Sequence, residues 1–470
     1  MLVGPAHRTL SPMPIRPAVA LFASLLLPAL SQAQAHWPGF RGPDASGIAP
    51  GPAPPASFDR ASGEGVLWEV PVPGLAHSGA AIWGDRLFLT SAVRIEGESE
   101  LSSLFGSANY GSGDSVPDEG PHAFQVLCFD RHSGEQLWSA DAHRGVPRTM
   151  RHPKSTHANS TPACDAERVV GFFGSEGLHA YDHAGEPLWS VDFGRLEAGA
   201  PSNDESDKYQ WGFASSPVLH AGRVLVQCDV QEQSFLAALD AATGEELWRT
   251  DRTEEPTWST PTVYAPAEGA AQVLANGYFH VGGYALEDGS ELWRLAGGGD
   301  VPVPTPVVAH GNVYLTSAHG PSRPLTAISL EARGVISRSP LESDYAVWNL
   351  PRGGVYMQTP LVLGDELYAQ SDAGILACYD AHTGERHYRQ RLGAGLTGFT
   401  GSPVSAGGLI WLSGESGLVS VVRAGTRFEL VAESELGEPC LSTPALAEGV
   451  IYFRTRSALV AVGAAAEDEQ

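Results

Sequence analysis

The residues best suited to chemistry stand in short aromatic or polar stretches just ahead of Ser/Thr-Pro pairs. His157 and Asn159 precede Thr161-Pro162, and Trp211 and Phe213 precede Ser216-Pro217. Trp258 precedes Thr260-Pro261, Tyr356 precedes Thr359-Pro360, and Phe399 precedes Ser402-Pro403. Rings with a few polar anchors suit a pocket for a ligand or an extended peptide. They suit equally a plug in which the rings pack on one another. A second stretch, residues 143–154, carries Arg144, Arg148, Arg151 and Lys154 and no acid. It could receive an anion through charge-assisted hydrogen bonds, or be neutralised by a neighbouring loop bearing Asp204, Glu205 and Asp207. Asp114, Asp118 and Glu119 offer oxygen ligands within residues 92–122, but without the spacing of a calcium loop. That stretch reads as a surface insertion.

None of this assembles into a catalytic motif. The sequence has no Gly-x-Ser-x-Gly elbow, phosphate-binding loop, His-Glu-x-x-His pair or Cys-x-x-Cys-His haem site. No catalytic group and no metal site is therefore assigned. Five cysteines are present: Cys128, Cys164, Cys228, Cys378 and Cys440. An odd number cannot form a complete internal disulfide set. Cys128 and Cys378 occupy a place that Ala180 and Ala238 fill in similar contexts, so these thiols read as small core residues.

The charge balance is acidic, with a formal net charge of -25. Nucleic acid and anionic membrane surfaces need clustered cations, so this balance argues against nucleic acid as a partner and disfavours anionic membrane surfaces. At the N-terminus, Arg8 and Arg16 frame an apolar run over 18–30, followed by Ala33-Gln34-Ala35. This is the pattern of a signal peptide spanning 1–35, cleaved after Ala35, with export to the periplasm or cell surface. No cysteine lies at the cleavage site, so a lipid anchor is not expected. The apolar run is too short to cross a bilayer, and no other stretch is longer.

The elements that position these residues are repeats. Ser/Thr-Pro recurs at Thr161, Ser216, Thr260, Thr305, Thr359, Ser402 and Thr443, with a degenerate copy at Ser78-Gly79. A second mark, Gly-Glu-x-x-Trp, appears at Gly134 with Trp138, Gly185 with Trp189 and Gly244 with Trp248. Gly289 with Trp293 and Gly384 with Tyr388 are variants, and Asp130, Asp182, Asp240 and Asp380 precede the turn. Short alternating runs between the marks predict four strands joined by hairpins. A four-stranded unit of roughly 40–50 residues is a propeller blade. The predicted fold is all-β: eight blades over 66–463, after an extended segment over 36–65 and before an acidic tail over 464–470. The last unit lacks its Trp strand, and Val66-Leu67-Trp68-Glu69 is a Trp strand without a unit. The latter is expected to complete the former and close the ring.

The Ser/Thr-Pro and Asp-x-x-Thr-Gly-Glu-x-x-Trp pattern resembles the repeat of the pyrroloquinoline quinone (PQQ) dehydrogenases. It also resembles their non-catalytic relatives, among them the propeller subunit of the outer-membrane protein assembly machinery. His36-Trp37-Pro38-Gly39-Phe40-Arg41-Gly42-Pro43 resembles the leader of secreted PQQ-repeat proteins. The dehydrogenase resemblance implies a Ca²⁺ held by Glu, Asn and Asp, an Asp base, a Trp floor and a lid made by an adjacent Cys-Cys disulfide. No Cys-Cys pair is present, and no Glu-Asn-Asp set falls on matching positions. The reading is thus an exported, monomeric, non-catalytic propeller acting as a protein-interaction or ligand-binding scaffold in the cell envelope, with a protein or peptide the expected partner and no cofactor. A PQQ- and calcium-dependent dehydrogenase of reduced form is the alternative.

Overall fold

The computed structural model describes residues 36–97, 115–200, 209–393 and 398–464, together with 1, 2 and 4. The strands of these residues form eight sheets of four or five strands, each strand antiparallel to its neighbour in the blade proper. A representative blade, the third, runs Val218–His220, Arg223–Cys228, Ser234–Asp240 and Glu246–Arg252 from the channel outward. The eighth blade is assembled from both ends of the propeller. Ala445–Ala447, Val450–Arg454 and Ala458–Val462 supply three strands, and Val66–Pro71 pairs against the third, with Trp68 opposite Ala461. The expected closure is therefore present. Joining the first strand to the last removes the open edges that a linear stack of sheets would expose.

The recurrent motif has a physical reading in the packing between blades. The Asp caps its turn: Asp240 Oδ1 accepts from the backbone N–H groups of Ala242 and Thr243, each at 2.9 Å. The Gly has a left-handed φ and lies against the Trp of the preceding blade. A Cβ on Gly244 would stand 2.7 Å from the Trp189 ring, and one on Gly134 2.6 Å from Trp68. The indole N–H of each Trp then donates to a carbonyl of the following blade. Trp68 reaches Arg131, Trp138 reaches His183, Trp189 reaches Ala241 and Trp248 reaches Leu286, at 3.0–3.1 Å. Opposite each Trp on the third strand sits a small residue: Cys128, Ala180, Ala238 and Gly283 in successive blades. The space a large ring needs explains why Ala, Cys and Gly interchange there. All five cysteines are buried and none is in a disulfide.

Blades 4 and 5 depart from the pattern. Gly334–Ile336, from an insertion in blade 5, adds a parallel fifth strand to the outer edge of blade 4. Trp293 accordingly turns inward and donates to Gln272 of its own blade. Trp348 does the outer-strand work of blade 5 without the Gly-Glu signature, donating to the Ala381 carbonyl at 2.9 Å.

The segment before the propeller does more than extend. His36–Trp37 pairs with Ala81–Trp83 as an extra inner strand of blade 1. The chain then crosses the channel on the face where the tight hairpin turns lie. Trp37 and Arg41 are both fully buried there. Arg41 donates to the carbonyls of Ala45, Ser46, Thr359, Pro360 and Pro403, tying the segment to the inner strands of blades 6 and 7. Further along, Ala49 donates to the Ser405 carbonyl of blade 7. The leader thus forms a plug across one end of the channel.

Candidate functional site

The Ser/Thr of each Ser/Thr-Pro pair opens the inner strand of its blade, and its hydroxyl faces the blade before. Backbone N–H groups of Gly79, Thr161 and Ser216 donate to the hydroxyls of Thr161, Ser216 and Thr260, each at 3.0 Å. Those of Thr305, Thr359 and Ser402 donate to Thr359, Ser402 and Thr443, again at 3.0 Å. Six hydrogen bonds therefore lace neighbouring blades around the neck of the channel. Two seams lack the link. Blade 1 has Gly79 in place of a hydroxyl residue, and a Cβ there would lie 2.6 Å from the Thr443 carbonyl oxygen. At the seam of blades 4 and 5 the buried Thr305 Oγ1 has no partner. The Ser/Thr hydroxyl serves as an acceptor that a blade offers to the one before it.

Above this neck lies a cavity of about 500 Å³, within the range of small-ligand and peptide side-chain sites. Phe40 of the plug closes it below, and the hydroxyl residues Thr161, Ser216, Thr260, Ser402 and Thr443 line its lower wall. Trp211, Trp258, Tyr356, Met357, Val301 and Val303 form its apolar side, with His77, His152 and His319 between them. The Trp211 and Trp258 rings are 5.7 Å apart. His152 meets Trp211 edge-on at 6.2 Å, and His319 covers Tyr356 at 5.0 Å. Burial raises the Tyr356 phenol to about 12. Burial, with the positive Lys154 and Arg151 nearby, lowers His77 to about 4, so it stays neutral at ordinary pH.

Four of the seven mouth residues read from the sequence line this cavity: Asn159, Trp211, Trp258 and Tyr356. Asn159 is held on all sides. It donates to Ser155, Thr156 and Phe213 and accepts from the Thr156 N–H and hydroxyl. It therefore staples its loop in place. Trp258 is fixed by a 2.6 Å hydrogen bond from its indole to the Gly212 carbonyl. Its neighbour Thr257 bonds the buried Asp229, which in turn accepts from Arg252 at 2.8 Å. Phe213 and Phe399 turn away from the cavity. Phe213 packs on Phe172 at 4.7 Å, and Phe399 is fully buried in the core of blades 6 and 7. His157 is buried beside Asp118, its Nε2 3.0 Å from the carboxylate.

Each cation of the basic stretch has a carboxylate beside it. Arg144 pairs with Asp141 at 2.5 Å, Arg148 with Asp192 at 2.9 Å and Arg151 with Asp118 at 2.6 Å. Lys154 pairs with the buried Glu415, which also accepts from Thr400. The partners are Asp141, Asp192, Asp118 and Glu415; Asp204, Glu205 and Asp207 lie outside the described residues, as does Asp114. Arg151 and His157 together hold Asp118 well below the usual carboxylate range, overcoming the opposing effect of burial. Phe40, His77, His152, Val301, Val303, His319 and Met357 were not singled out in the sequence. Of these, Phe40 belongs to the leader motif and His152 to the basic stretch, while Val303 and Met357 stand just ahead of Thr305-Pro306 and Thr359-Pro360 without a ring or polar group to mark them.

Fold and site together define an eight-bladed propeller whose channel is plugged at one end and opens at the other into an aromatic cavity. The family model described as outer membrane protein assembly factor BamB matches residues 122–390. That is more than half of the chain, and the chain belongs to this family. A curated relative, outer membrane protein assembly factor BamB of Burkholderia pseudomallei (strain K96243), is 29% identical over 231 residues. The match covers 42% of this chain and 57% of the relative, so the chain spans little more than half the length of the relative it matches. Quinohemoprotein alcohol dehydrogenase from Comamonas testosteroni superposes with a TM-score of 0.59 at 11% identity, over 93% of this chain and 82% of that one. A europium-containing methanol dehydrogenase superposes at 0.54, also at 11% identity, over 89% of each chain. At such identity the likeness is one of fold, and function rests on the site.

Proposed function

We propose that the protein is an exported, envelope-located scaffold that holds an extended polypeptide in its mouth cavity and carries out no chemistry there. The observation that carries this reading is the cavity wall itself. Aromatic and aliphatic side chains face hydroxyl groups across a site closed at its base by Phe40, a combination that suits an apolar side chain with its backbone polar groups. Membership of an assembly-factor family supports a protein partner. On this reading residues 1–35 are the signal peptide, 36–65 the plug and 66–463 the binding propeller, acting as a monomer. No helix among the described residues is long and apolar enough to cross a membrane.

The alternative, a calcium-dependent quinone enzyme, fits the donor set poorly. Ca²⁺ needs several hard oxygen ligands, carboxylates foremost. Among the described residues that line the cavity there is neither Asp nor Glu. Glu415, beside the cavity residue Lys154, is committed to that lysine and to Thr400.

Tryptophan fluorescence of the full chain separates the two readings. An extended peptide with alternating apolar residues should perturb Trp211 and Trp258 saturably, and PQQ with Ca²⁺ should not. Saturable binding of PQQ with turnover of an alcohol would replace the scaffold reading with a dehydrogenase.

A further inference from the structure

On the face opposite the mouth, three hairpin turns bring His310, Asp365 and His382 together at the seam of blades 5 and 6. One ligand atom from each lies within 4.8 Å of the other two, and all three side chains are exposed. His382 Nε2 is 3.1 Å from Asp365 Oδ1, and the two imidazole rings are 4.5 Å apart. Ligands around a tetrahedral Zn²⁺ lie about 3.3 Å from one another, so a side-chain adjustment on the ångström scale would complete the set. The His310 ring is also oriented from behind. Its Nδ1 is 3.2 Å from the hydroxyl of Tyr314, a fully buried residue. A hydrogen bond at one imidazole nitrogen fixes the ring and leaves the other, Nε2, for a metal.

The fold supplies an internal control. At the seam of blades 8 and 1, Gly84-Asp85 matches Gly364-Asp365, and Asp130-Arg131-His132-Ser133-Gly134 matches Asp380-Ala381-His382-Thr383-Gly384. There too the Asp and His meet, with His132 Nε2 3.0 Å from Asp85 Oδ1. The preceding blade contributes a residue with left-handed φ in both cases, Glu448 at 48° and His310 at 52°. Glu448, however, is bound by Arg131 at 2.8 Å, whereas the Arg131 position is Ala381 at the other seam. The Asp–His pair is thus an ordinary feature of the turn. Blades 5 and 6 differ in adding a second imidazole and omitting the cation.

We propose that His310, Asp365 and His382 bind a divalent transition-metal ion of the zinc class, with a fourth position left to water, clasping blades 5 and 6 together. Three protein ligands of nitrogen and oxygen are the set such ions accept. The test is calorimetric titration of the full chain with Zn²⁺ alone, alongside His310→Ala, His382→Ala and His132→Ala. The expected result is one saturable site whose affinity falls at least tenfold in the first two variants and is unchanged in the third. Zn²⁺ should also raise the melting temperature of the parent chain but not that of His310→Ala. The proposal is overturned if the parent chain takes up no Zn²⁺, if His310→Ala binds as tightly as the parent, or if His132→Ala loses as much.

Discussion

The two faces of the propeller are built on different principles. On the turn face, hairpins such as Ala221-Gly222 and His310-Gly311 are two-residue loops with left-handed φ at both positions, and Asp-capped turns repeat from blade to blade. On the mouth face the connections are longer, and each is held by its own arrangement: Asn159 staples one, Asp229 and Arg252 anchor another, and Glu415 with Lys154 ties a third across the opening. Val301 on the cavity wall stands at φ 49°, a conformation β-branched residues rarely adopt. Regularity on one face provides a rigid ring. Individuality on the other leaves room for a binding surface.

The largest effect expected from breaking this division is at the plug. Arg41→Met should leave the five carbonyls it serves without their donor and cost about 3 kcal/mol in urea unfolding, since unpaired buried polar groups cost ~1–3 kcal/mol apiece before relaxation. A loss below about 1 kcal/mol would mean the leader does not brace the channel. On the mouth face, Glu415→Gln strips the half-buried Lys154 of its carboxylate and should cost roughly 2–3 kcal/mol, toward the lower end for broken buried pairs. An unchanged unfolding midpoint would show that the loop is held by other contacts.

Acid should act on the mouth next. His77 has a folded-state pKa of about 4, below the unfolded value of about 6.5. The unfolded chain therefore takes up a proton that the folded chain refuses, and stability falls as pH drops from about 6.5 to 4. His77→Gln should flatten this slope by about 1–2 kcal/mol at pH 5, as measured by unfolding across pH; an identical slope would remove His77 from the account. Burial also lowers His122, His179, His183 and His220, so part of the slope will persist. The smallest effect belongs to the regular packing. Trp248→Phe keeps the ring but deletes the hydrogen bond to Leu286 and should cost about 1 kcal/mol. A cost near zero would mean that ring packing alone joins those blades.

The same division decides what could be read from the sequence. Turn-face features repeat, so Asp, Gly and Trp at fixed spacing revealed the blades, and the orphan strand at Trp68 revealed the closure. Trp348 escaped notice because the insertion bearing Gly334–Ile336 displaced its motif. The cavity was legible only in part. Trp211, Trp258 and Tyr356 stand where the Ser/Thr-Pro rule places them, but Phe213 and Phe399, in equivalent positions, rotate into the blade cores. Which way a ring turns depends on the neighbouring blade, and spacing along one chain does not encode that. Arg41 and Phe40 stand in the leader motif, but their roles were hidden: three of the five carbonyls that Arg41 serves, those of Thr359, Pro360 and Pro403, lie more than 300 residues away, and nothing in the motif marks Phe40 as a cavity residue.

The central claim, that the mouth cavity receives polypeptide, is tested most directly by a photo-crosslinking amino acid placed at Met357 on the cavity wall and, separately, at Leu137 on an outer strand, in cells making the full chain. The account predicts polypeptide adducts from position 357 and far fewer from position 137. Adducts of equal strength at both positions, or none from position 357, would contradict it.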